Sequence, residues 1–122
     1  METTRNIYDL KQRTYQYALE IIRFLATLPK DYITQTIGKQ LLRSATSIGA
    51  NIVEGRSSGS RKDFANFYNH ALKSANESTF WLGLLKDSGR APNEAVRSHL
   101  DETTQLSKIL ASCLITARGK RS

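Results

Sequence analysis

Five polar residues at helical spacing are the first candidates for chemistry. Gln40, Ser44, Ser47, Asn51 and Glu54 follow one another at intervals of four, three, four and three, so on a helix they form one stripe. Hydroxyls, an amide and a carboxylate in a row could form an active site, or they could tie one helix to another. Leu41, Ala45, Ile48 and Ile52 run alongside and place the stripe at the edge of a core, where polar groups must find partners. In an antiparallel hairpin turning near residues 57–59, Arg43 comes opposite Glu77, and Ser47 and Asn51 face the next helix near Phe67 and Ala71. An Arg–carboxylate pair inside a helix interface is costly to desolvate but strongly orienting. Arg43, Ser44, Ser47, Asn51, Glu54 and Glu77 therefore read as a structural polar ladder that fixes register. An active site built on Asn51, Glu54 and Glu77 is the competing reading.

A second candidate is the segment from Gly55 to Lys62. It has two glycines and no apolar residue before Arg61-Lys62 at the start of a helix. The P-loop pattern fails, because neither the glycine spacing nor the position of the lysine fits and no strand precedes the loop. What survives is a site for a backbone phosphate at a helix N-terminus beside Arg56, Arg61 and Lys62. A basic tail with Arg118, Lys120 and Arg121 would add affinity without sequence preference. Loop glycines and solvated charges are the plainer alternative.

Nothing else in the chain assembles into a catalytic set. His70 and His99 have no cysteine or carboxylate at metal-ligand spacing, and no serine lies in a Gly-x-Ser-x-Gly elbow. The expectation is a non-enzymatic protein without metal or cofactor.

Lys and Arg total 18 against 11 Asp and Glu in 122 residues, giving a net charge of +7 and a pI near 9.8. Such an excess on one small domain points to a polyanionic partner, RNA or DNA first, although solubility alone also produces it. A single cysteine, Cys113, cannot form an internal disulfide. With neither a leader-like start nor an apolar run long enough for a membrane span, the expected setting is soluble and cytoplasmic.

Four helical segments must position these residues. The first spans about residues 6–28 and carries two apolar faces, one of Tyr15, Ala18, Leu19, Ile22 and Leu25, the second of Tyr17, Ile21, Phe24 and Leu28. Pro29 ends it, and Asp31 caps a second helix over about 32–54 that stops at Gly55, a residue suited to the left-handed cap. Ser60 and Asp63 open a third helix over about 61–87, ended by Ser88-Gly89 and Pro92. The fourth, about 93–117, repeats Val96, Leu100, Thr103, Leu106, Leu110 and Leu114 at heptad-like spacing. With no strand signal and short connections, the fold class is all-α, an up-down-up-down antiparallel four-helix bundle in a single domain. Gly38, Ala45 and Gly49 would admit a close neighbouring backbone. The second face of the first helix, with Phe80, Trp81 and Leu84, exceeds one interior and predicts a homo-oligomer; a monomer with rim aromatics is the alternative.

Arg43-Ser44-Ala45-x-Ser47-Ile48-x-Ala50-Asn51-Ile52-x-Glu54-Gly55, followed by Phe64, Ala71, Ser74 and Glu77, strongly resembles the four-helix-bundle proteins encoded in intervening sequences of bacterial 23S ribosomal RNA genes. The resemblance covers nearly the whole chain. That fold is shared with the accessory variability determinant proteins of diversity-generating retroelements. The resemblance implies a basic, barrel-shaped homopentamer and, from the retroelement members, nucleic-acid binding and a reverse transcriptase partner. A structural or protein-interaction bundle encoded in an rRNA intervening sequence is the other function it allows.

Overall fold

Breaks in the chain follow backbone chemistry. Thr27 and Leu28 donate to the carbonyls of Phe24 and Leu25 in a tightened last turn, at 3.0 and 3.2 Å, just before Pro29. Asp31 caps the next helix through Thr34 N–H at 2.9 Å, and Ser60 caps the third through Asp63 N–H at 3.1 Å. Gly89, at φ 76°, makes the left-handed turn before Pro92. The structure, a computed structural model, describes residues 2–119, with side chains from residue 10 onward. It holds α1 (Glu2–Ala26), α2 (Tyr32–Arg56), α3 (Arg61–Asp87) and α4 (Asn93–Gly119), and no strand among the described residues.

Each helix packs on the next, and α4 returns to α1. Gly38 lies by Leu25 and Gly49 by Thr14; Ser44 meets Ser78 and Ser47 meets Ser74; Arg13 meets Glu102. Rising numbers on one helix thus face falling numbers on its neighbour, the antiparallel arrangement of an up-down bundle. One core runs through all four, with Leu10, Ile21, Leu41, Ile48, Ile52, Leu82, Leu106 and Leu110 fully buried. Among the described residues no helix is long and apolar enough to cross a membrane.

Three expectations need correction. The α1 face that the bundle buries is Tyr17, Ile21, Phe24 and Leu28, so that face is not available for assembly; Tyr15 (62% exposed) and Ile22 (46%) of the other face are. Gly55 is not a left-handed cap. It stays helical and buried, and α2 continues to Arg56, because the missing side chain admits the Tyr68 ring: a Cβ there would lie 2.9 Å from two ring carbons. Arg118 belongs to the last turn of α4 rather than to a tail, since no breaker precedes Gly119. Lys120 and Arg121 lie outside the described residues.

Candidate nucleic-acid interface

Antiparallel packing brings the end of α2, the start of α3 and the end of α4 to one end of the bundle. Tyr68 shows the convergence, because it lies against Gly55 and close enough to Arg56 and Cys113 to sense both. Arg56 closes α2, Arg61 and Lys62 open α3, and Arg118 sits in the last turn of α4. All four are exposed, and none forms an ion pair among the described residues. Three of the sequence-predicted contacts are thus held on helix ends rather than within a loop, which spans only residues 57–60.

Arg56 and Arg118 are favourably placed, since cations suit helix C-termini. Arg61 and Lys62 are not. They stand at the positive end of the α3 dipole with one carboxylate in the first turn, Asp63, to offset them. An anion bound there would relieve a repulsion that the free protein carries.

The polar ladder divides into a working part and an exposed part. Ser44 is buried and shares a 2.8 Å bond with Ser78, whose hydroxyl donates to Ser74 O at 2.9 Å. Ser74 in turn donates to Ser47 Oγ at 3.0 Å. Asn51 does not reach α3 as expected: its amide donates within α2, to Ser47 O at 2.9 Å and Ser47 Oγ at 3.0 Å, because Ser47 already occupies the contact with α3. Arg43 and Glu77 do meet, at 2.9 Å, but with side chains 66% and 36% exposed. Their pair is a rim contact worth less than about 1 kcal/mol rather than a buried clasp. Glu77 also accepts from Trp81 Nε1 at 3.0 Å, which fixes the indole against the core edge. Glu54 faces solvent, and its carboxylate has no partner among the described residues. Asn51, Glu54 and Glu77 therefore do not converge on one site.

Two features escaped the sequence reading. Tyr17 OH and Thr103 Oγ1 lie 2.6 Å apart in the core; since Thr103 donates to His99 O at 2.6 Å, Tyr17 is the donor. Burial pushes the phenol up from its ordinary value, so it stays neutral. Tyr17, Ser44, Ser78 and Thr103 thus form a buried polar layer with one member from each helix. The second is a two-toothed bridge from Arg13 to Glu102, at 2.7 and 3.0 Å, with Gln105 accepting at 2.8 Å. Ser78, four residues after Ser74 and beside the apolar seam, carried a signal; Arg13 carried none, because α1 and α4 are far apart in sequence.

No curated protein matches the chain. The solved structure of a protein of unknown function from the S23 ribosomal protein family of Bacteroides thetaiotaomicron is 36% identical, covering 89% of this chain and 97% of that one at a TM-score of 0.84. The family described as 23S rRNA-intervening sequence protein matches residues 7–112. Nearly the whole bundle lies within that match, and the chain belongs to the 23S rRNA-intervening sequence protein family.

Proposed function

We propose that this protein is a non-enzymatic accessory factor that binds nucleic acid, RNA foremost, with the basic end of its bundle. The observation that carries the reading is the gathering of Arg56, Arg61, Lys62 and Arg118, without ion pairs among the described residues, from three helices onto one end. Two of these oppose a helix dipole, a placement that folding alone does not favour. The family's description ties its members to sequences intervening in 23S rRNA, which makes structured RNA the first polyanion to try. In an electrophoretic shift assay across a salt series, affinity should fall steeply with salt as phosphates release counterions. Weak binding without salt dependence would favour a structural or protein-interaction bundle.

The reading includes self-association. A groove between α1 and α2 has Tyr15, Ala18, Ala50 and Val53 on its banks, and Ile22 and Leu42 are exposed on the same two helices. A different patch, Phe80 and Leu84, lies on the outer face of α3. Two unlike patches on one chain suit a head-to-tail contact that closes a ring, a pentamer by the resemblance noted above, and a ring would repeat the basic end and multiply a weak site by avidity. Light scattering that returns a monomer mass at micromolar concentration overturns this part. The retroelement resemblance adds a reverse transcriptase to the partners, tested by co-expression and co-purification.

A further inference from the structure

We infer that the pocket at the α2–α3 junction takes one unpaired nucleotide, its base stacked on Phe64 and its phosphate between Arg56 and Arg61. This rests on the nucleic-acid reading above and narrows it from a polyanion to a single strand. The pocket has a volume of about 440 Å³, within the range of small-molecule sites. Its floor is the stacked pair Phe64 and Tyr68, with ring centroids 4.1 Å apart and planes at 24°. Tyr68 is fully buried and braced by Gly55, so Phe64, which is only half-buried, rests on a fixed support. Arg56 and Arg61 flank the floor, and no acidic side chain lines it. Ser60 Oγ accepts from Asp63 N–H and keeps its own proton to donate.

A duplex cannot use such a floor, because its bases are stacked on one another and only phosphates and sugars face outward. Loops, bulges and strand ends can, since their bases splay and stack on aromatic side chains. The α1–α2 groove also has cations, Lys11 and Arg56, but it is a poorer candidate for a base: Tyr15 is its one aromatic, and among the described residues that ring stacks on no second ring.

The test compares a short oligo-uridine with an RNA duplex of equal length, for wild type, Phe64→Leu, Phe64→Tyr and the Arg56/Arg61/Lys62→Gln triple variant. Phe64→Leu should weaken the single strand about tenfold and leave its salt slope and the duplex affinity unchanged, while Phe64→Tyr keeps wild-type affinity. If Phe64→Leu binds the single strand as wild type does while the triple variant loses binding, the pocket is overturned and the nucleic-acid reading stands. If wild type binds neither RNA, both fall. Should Phe64→Leu not fold, photo-crosslinking of wild type with a 4-thiouridine oligonucleotide decides between the same outcomes. Crosslinks at Phe64 or Tyr68 support the pocket, and crosslinks confined to Tyr15, Tyr32 or Trp81 overturn it.

Discussion

The two ends of the bundle use their charges in opposite ways. Where the α1–α2 and α3–α4 connections meet, Asp31 accepts from the Thr34 N–H and hydroxyl and draws Arg90 to 3.9 Å, while Lys86 reaches Asp87 at 2.9 Å. There, with the exception of Lys30, charge caps helices and joins connections. At the other end Arg56, Arg61, Lys62 and Arg118 face solvent without an ion pair among the described residues. A net charge of +7 says little about where a polyanion would land; the pairing of each cation says more.

The largest effect should come from stripping the unpaired end. Arg56/Arg61/Lys62→Gln removes three cations, so the log–log salt slope for single-stranded RNA should drop by about 2 units and affinity by tenfold or more at physiological salt. Lys86→Gln with Arg90→Gln, measured the same way, should bind as wild type does. Equal losses in the two variants would erase the distinction between the ends.

Stability should separate them next. Gly55→Ala pushes a methyl against the Tyr68 ring and should cost about 1–3 kcal/mol in denaturant unfolding, whereas Gly59→Ala, four residues on, meets nothing within 4 Å and should be nearly silent. At the paired end, Gly89→Ala should cost about 1 kcal/mol from its positive φ alone, with RNA binding untouched.

The smallest effect is a pH dependence at the paired end. Burial against Phe24, ring centroids 4.7 Å apart, pushes the His99 imidazole down from 6.5, with Glu20 pulling the other way. The unfolded chain then binds the proton more readily, so stability is full above about pH 6.5 and is lost as pH falls through the folded value. His99→Gln should flatten the change in melting temperature between about pH 7.5 and 5.5. Thr34 N–H and then its hydroxyl hold the Asp31 carboxyl below 3.8, so Asp31's contribution is lost only at more acid pH. A slope that persists in His99→Gln would assign the titration elsewhere.

Features governed by neighbours along the chain were legible in the sequence. Pro29, Asp31, Ser60, Gly89 and Pro92 mark the helix breaks because they act on their own backbone or on an N–H three residues away. The meeting of Arg43 and Glu77 was legible too, since a hairpin with a short turn sets its own register. What depends on packing was not. Two apolar faces on α1 look alike until α4 supplies Thr103 for Tyr17, and only the three-dimensional arrangement selects between them. Gly55 read as a stop because its demand comes from Tyr68, which approaches across the helix interface rather than along the chain. The site residues were chosen by charge and by the helix N-terminus, neither of which points to an aromatic side chain, so Phe64 and Tyr68 and their pocket were missed.

The layer of Tyr17, Ser44, Ser78 and Thr103 has a consequence for how the surface can change over time. A one-turn slide of any helix, about 5.4 Å, would break the Tyr17–Thr103 or the Ser44–Ser78 pairing on which these buried hydroxyls depend. The layer therefore works as a datum from which the height of every helix end is measured. Substitutions at the rim can change the chemistry presented there while Arg56, Arg61 and Arg118 keep their levels along the bundle axis. Insertions or deletions between the datum and the rim would not be so forgiving, because each would rotate and raise one cation against the others.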